Sequence, residues 1–456
     1  MKRALITFNR HPMFLTIKNY FTNFYKGITS SIAFYPTLIG IFFFSFAFVM
    51  ITLEGFGASK YISERVQYII ISNDDTARTI LSTIIGGIIS LTVFTFSMVM
   101  LLLSQAASNY SPRVLPSLIS QKNHQIVLGF FLGTIIYCLM IVINILPDTR
   151  EYKVPGFAIF MGMVFAVVCL ILFVYFLHTI SKSIQISHIL SGLHQRTKTQ
   201  LKLEIEKEAN NWVDEIPNTD NWEVFESKQT GYLQDFSKKS LQQIANEKEI
   251  QIRILFPKGT FILQHTPLLK IEGKIDDEGK EQLYSCFHFS NEEVIARDFS
   301  VGIKHITEII VKAMSPGIND PGTALTGIDY LTDLFSLRMR LPDDELLEQG
   351  EGKGKVYMNN LSFQRTIYFS LAVIRQYSKH DAIVVLHLLN MFKKLLQVEN
   401  LKEEHRETLI EEINTLLIDV KENIKNPTDF KVIERAIEKL VKIEDTNKEI
   451  VKVENI

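Results

Sequence analysis

The stretch ILSTIIGGIISLTVFTFSMVMLLL, residues 80–103, passes 24 positions without an Asp, Glu, Lys or Arg. At a rise of about 1.5 Å per residue, a helix of that length covers the roughly 30 Å hydrocarbon layer of a bilayer. Backbone N–H and C=O groups find no water there, so such a run can cross only as a helix. Three more charge-free runs flank it, at about residues 31–53, 125–146 and 155–177. The expected architecture is a mostly α membrane protein. A four-helix transmembrane bundle at 31–180 follows a basic interfacial segment at 1–30. A helical linker is expected at 181–215, a small α+β module at 216–275 and a mainly helical domain at 276–456.

Charge divides the chain in the same place. Through Lys202 there are 16 Lys and Arg against 6 Asp and Glu, a charge of +10, and the remainder carries −12. An acidic soluble half excludes the clustered basic face that nucleic acid requires. Lys2, Arg3, Arg10, Lys18 and Lys26 precede the first run, Arg113 and Lys122 separate the second from the third, and Lys182, Arg196, Lys198 and Lys202 follow the fourth. The other two connections mix signs. The positive-inside rule then puts both termini, and with them the soluble half, in the cytoplasm. The three cysteines stand apart, so neither a disulfide framework nor a Cys-rich metal site is expected.

Within the second run Ser82, Gly86, Ser90, Ser97, Ser104 and Ser108 recur at intervals of four or seven, with Thr83 and Gly87 beside them, which places them along one helical face. Small residues let helices approach closely, and a close helix contact is the first reading of this face. The second is the lining of a permeation path in an assembly of copies. Gly129 and Gly133 form a GxxxG pair in the third run, a packing signal. The absence of ionisable groups from all four runs argues against a proton pump or a voltage sensor. Just beyond the second run, Asn109, Ser111 and Arg113 lie beside Pro112 and Pro116, where the chain must bend. Arg113 can anchor at lipid phosphates or couple the membrane and soluble halves.

In the soluble half, short alternating runs at 222–226, 250–256, 260–263 and 268–273 read as strands, with a helix over 236–246. Helical periods cover 303–313, 325–335, 362–377, 381–396, 402–424 and 429–443, while 338–355 reads as a loop from its Pro, Gly and charge content. The fourth run continues without Pro or Gly into a partly helical period at 181–210.

The most distinctive motif is SPGINDPGTA, residues 315–324, between two of these helices. Pro316 and Gly317 stop one helix, Asn319 or Asp320 can cap the next, and Pro321 suits its first turn. The alternative is a ligand or ion site built from Ser315, Asn319, Asp320 and Thr323, with Asp298, His305 and Glu308 contributing from the preceding segment. Together with Ser108–Arg113, Gly231–Gln234 and Arg297–Phe299, this motif resembles a bacterial family of predicted integral membrane proteins known only as a domain of unknown function. The resemblance covers nearly the whole chain and implies a bacterial inner-membrane location. It brings no catalytic residues with it.

No phosphate-binding loop, His-Glu-x-x-His or Gly-x-Ser-x-Gly pattern is present, so no cofactor is expected and an enzyme is the least supported class. Two functions remain. One is a homo-oligomeric channel or transport-related protein gated by its cytoplasmic domain. The other is a membrane-tethered sensor or scaffold without transport. The expected partners are the lipid bilayer, further copies of the chain, and an ion or small molecule.

Overall fold

A computed structural model describes residues 33–56, 71, 73–109, 122–145, 154–183, 185–208, 217–290, 299–347 and 354–441. The expected interfacial segment at 1–30, Ser111, Arg113 and Asp298 lie outside the described residues. The chain forms two compact units, Met1–Gln185 and Ile186–Ile456.

The first unit contains α1 (Phe34–Gly55), α2 (Asp74–Asn109), α3 (Lys122–Ile143) and α4 (Gly156–Ser183). Each is long and apolar enough to cross a membrane. α2 begins six residues before the apolar run, because Asn73 Oδ1 accepts from the N–H of Thr76 at 2.8 Å and Asp74 and Asp75 complement the positive end of the helix. Its 36 residues make it roughly 54 Å long, well beyond the hydrocarbon layer. Glu54 at the end of α1 caps α4, accepting from the N–H groups of Phe157 and Ala158 at 2.9 and 3.1 Å. Arg78 donates to the Ile145 carbonyl at 2.8 Å and closes the same end.

The GxxxG pair does bring two helices together. A Cβ on Gly133 would stand 2.6 Å from the Phe43 ring, and one on Gly129 would stand 2.8 Å from the Ile39 side chain and 3.0 Å from the Pro36 backbone, so the two glycines of α3 make the room that α1 fills. Around that seam Phe43, Phe130, Phe165 and Tyr137 pack edge to face, and Ala47, Leu81, Cys138 and Ile141 are buried.

The second unit pairs two sheets with a helical bundle. Its first part runs α5 (Ile186–Glu208), β1 (Glu223–Glu226), β2 (Gly231–Phe236), α6 (Lys238–Lys248), β3 (Gln251–Ile254), β4 (Phe261–Ile262), β5 (Pro267–Glu272), α7 (Asp277–Ser285) and β6 (Phe287–Ser290). Then come α8 (Phe299–Ala313), α9 (Pro321–Arg338), β7 (Asp344–Leu347), β8 (Lys355–Asn359), α10 (Phe363–Ser378), α11 (Ala382–Leu396), α12 (Glu403–Asn423) and α13 (Pro427–Val441). One sheet has the order β1-β5-β3-β8-β7 and the other β4-β2-β6.

The reading of 338–355 as a loop is corrected here. Residues 216–275 do not close on themselves. β8 lies parallel to β3 in register Gln251↔Lys355, and β7 pairs with β8, so the segment read as a loop supplies β7 and the first residue of β8 in the main sheet. Within 181–215, residues Ile186–Glu208 form a helix of their own. α4 ends at Ser183, α5 starts afresh at Ile186, and α5 packs on α8 and α9 with Leu190 and Leu201 fully buried. A Cβ on Gly302 of α8 would overlap the Thr197 hydroxyl, and one on Gly327 of α9 would stand 2.4 Å from Ile310, so α5, α8 and α9 form one tight three-helix cluster.

Candidate functional site

α2 is the least covered of the four spans: 11% of its apolar window is buried, against 44% for α3. Ser82, Gly86, Ser90, Ser97 and Ser104 all lie on its exposed side. A Cβ on Gly86 or Gly87 would meet nothing within 4 Å. The small face expected as a close helix contact therefore has no partner among the described residues of one chain. The hydroxyls do not stand idle, since Ser90 donates to the Gly86 carbonyl at 2.9 Å and Thr83 to the Thr79 carbonyl at 2.7 Å. These two donors are satisfied within the helix. Asn109 is the last residue of α2.

The 315–324 motif is the connection between α8 and α9, the two helices that hold α5. Asp320 is the N-cap of α9. Its Oδ1 accepts from the N–H of Thr323 at 3.1 Å, and its Oδ2 accepts from the Thr323 hydroxyl at 2.6 Å. Pro321 fills the first helical turn, where a missing N–H costs nothing. Asn319 takes the left-handed conformation (φ 48°), which asparagine tolerates better than other non-glycine residues. The chain then turns back so that the N–H of Asp320 reaches the Ala313 carbonyl at 2.8 Å. Ser315 donates to the Lys312 carbonyl at 2.6 Å and helps to end α8. His305, buried, and Glu308 lie farther down α8; from Ala313 to His305 the rise is about 12 Å. The turn does not gather them with Asn319 and Asp320. Asp320→Ala is expected to lower unfolding stability by about 1 kcal/mol, and Asp320→Asn by much less. Thermal midpoints followed by tryptophan fluorescence would check both.

A second polar cluster joins α5 to α9. His194 Nε2 lies 2.6 Å from Asp333 Oδ2, Lys198 Nζ reaches the same oxygen at 2.7 Å, and the His194 ring stacks on Tyr330 with centroids 4.4 Å apart. Burial alone would raise the Asp333 carboxyl, but the bonds from Lys198 and His194 outweigh it and hold the group below its usual range. His194 and Asp333 are 139 residues apart, and no local pattern in the sequence pointed to the pair. Chemically the cluster is a charged clasp on the first helix after the last span. Among the described residues no three His, Cys, Asp or Glu side chains converge as a metal site requires.

Residues 29–394 match the family model of predicted membrane proteins named DUF2254. The chain belongs to this family. The DUF2254 match takes in all four spans and the α8–α9 turn, and stops within α11. Two relatives are the uncharacterised proteins Mb1321c of Mycobacterium bovis and Rv1290c of Mycobacterium tuberculosis. Each is 24% identical over 337 residues, which is 70% of this chain and 64% of the relative. The chain thus spans less than two thirds of the length of these curated relatives. No solved structure matches it.

Proposed function

We propose that this DUF2254 protein works as an assembly of identical copies in a bacterial inner membrane, forming a channel or transport path along α2. Both termini are cytoplasmic in this reading, and the second unit gates the path. The observation that carries it is the uncovered face of α2. A row of Ser and Gly gives little contact to lipid tails, whereas Gly86 and Gly87 leave room for the backbone of a neighbouring helix. Hydroxyl groups on that exposed face suit water or a passing solute as well as a second helix. The soluble unit also exposes apolar side chains on α10, with Phe369, Val373 and Tyr377 between 40% and 57% accessible, which favours association of copies. Gating enters through α5, held by α8 and α9 and following the fourth span in sequence.

Planar-bilayer recording on purified, inserted and demonstrably oligomeric protein tests this. Discrete conductance steps are expected, reduced severalfold by Ser90→Phe or Ser97→Phe. Silence across voltage and membrane tension contradicts the channel and leaves the sensor or scaffold reading.

A further inference from the structure

A cavity of about 580 Å³ opens between α5, the end of α9 and the loop from α11 to α12. That volume falls in the range of pockets for small organic ligands. Much of the wall is apolar, with Ile205, Met339, Leu341, Pro342 and Leu401, but one side is built differently. Arg340 and Lys402 line it, with Glu399 the one acid among the lining residues.

Lys402 is also the N-cap residue of α12, in extended conformation, and its side chain offers no acceptor to the first turn. A helix of 21 residues therefore begins at this wall with no side-chain cap on its N–H groups. Glu403 and Glu404 in the first turn offset part of the helix dipole but leave those N–H donors uncapped. By contrast α6, α7, α9, α10 and α11 are each capped by a Ser or Asp side chain.

His405 supplies the independent observation. It lines the cavity, is only 3% accessible, and its Nδ1 has no hydrogen-bond partner. The ring is held in place against Phe363, with centroids 4.6 Å apart, and Glu404 stands 3.7 Å from the other ring nitrogen. An orphaned polar atom this deeply buried is costly unless something completes it. An anion seated at the start of α12 would accept from the helix N–H groups, from Arg340 and Lys402, and from His405, while an attached hydrocarbon met the apolar wall.

We propose that this cavity binds a small phosphate ester with a short apolar tail, the phosphate at the N-terminus of α12 and the tail against Met339, Leu341 and Leu401. The lining residues 398–405 lie beyond the DUF2254 match at 29–394, while Ile205 and residues 339–342 lie within it. The site does not depend on the channel reading, and either can fail without the other.

Titration calorimetry of the full chain in phosphate-free maltoside micelles, with hexyl phosphate as the probe, tests the proposal. Saturable binding is expected, at least tenfold tighter than that of inorganic phosphate or of hexanol. Lys402→Asp puts a capping carboxylate where the phosphate would sit. It is expected to weaken hexyl phosphate at least tenfold while the thermal midpoint holds or rises, so that lost binding cannot be put down to unfolding. His405→Leu should weaken binding in the same direction. Absence of saturable binding to the wild type, equal binding of hexanol, or unchanged affinity in a folded Lys402→Asp variant would each overturn the proposal.

Discussion

Arg338→Met is expected to destabilise the second unit by about 3–5 kcal/mol, the cost of leaving the partners of a buried charge unpaired. Arg338 is fully buried at the end of α9. Its guanidinium donates to the Leu341 carbonyl at 2.8 Å, to the Leu361 carbonyl from both Nε and Nη2, and to the Asp343 carboxylate. Asp343 in turn accepts from the N–H of Phe363 at 3.1 Å and so secures the start of α10. One side chain thus joins the end of α9, the approach to β7 and the first turn of α10. Methionine fills most of the volume but takes the guanidinium donors away from two carbonyls and leaves the Asp343 carboxylate without its cationic partner, with only the Phe363 N–H to hold it. Arg338→Lys restores the charge without the planar fork and should recover only part of the loss. Urea unfolding followed by tryptophan fluorescence will report it, because Trp222 is buried in this unit near Tyr357.

The second large effect is expected at the α1–α3 seam. Gly133→Leu drives a branched side chain into Phe43, and Gly129→Leu drives one into the Pro36 backbone, which cannot rotate away. Overpacking of a filled core costs about 1–3 kcal/mol where neighbours can shift and more where they cannot. Cys138 provides the readout. It is fully buried on α3 beside this seam, so maleimide should label it slowly in the wild type and at least tenfold faster in either variant. The matching changes Gly86→Leu and Gly87→Leu on α2 place a Cβ with nothing within 4 Å among the described residues and should leave Cys138 protected.

How much of this was legible in the sequence follows from how local each signal is. The spans were legible because an unbroken apolar run carries its own reason to be helical, and each span matches one of the four runs. The start of α2 was read late because Asp74, Asp75 and Arg78 look like loop composition, although a helix projecting beyond the hydrocarbon bears charge freely. The turn at 315–324 was legible as a connector for the same reason of locality: Pro316, Gly317, Asn319, Asp320 and Pro321 act within a few residues of one another. Long-range pairing was not. Nothing near Lys355 announces that it will lie beside Gln251, and a segment rich in Gly and charge concealed β7 and the start of β8. Arg338 stood at the edge of that supposed loop and is the largest fully buried side chain among the described residues. His194 and Asp333 lie too far apart in sequence for any local pattern to join them. The α2 stripe was legible as a face, but only the packed bundle reveals that none of the described helices covers it.

The central claim is that this face of α2 meets another copy of itself, and disulfide trapping in native membranes tests it most directly. Cys138, Cys169 and Cys286 are all buried in the folded chain and should stay silent under mild oxidation. Ser90→Cys and Ser97→Cys are expected to give covalent dimers, whereas Phe42→Cys and Phe48→Cys, exposed on α1, should remain monomeric. Monomeric Ser90→Cys and Ser97→Cys, with thiols that react only with lipid-soluble reagents, would instead mean that the stripe faces the bilayer and would contradict the assembly.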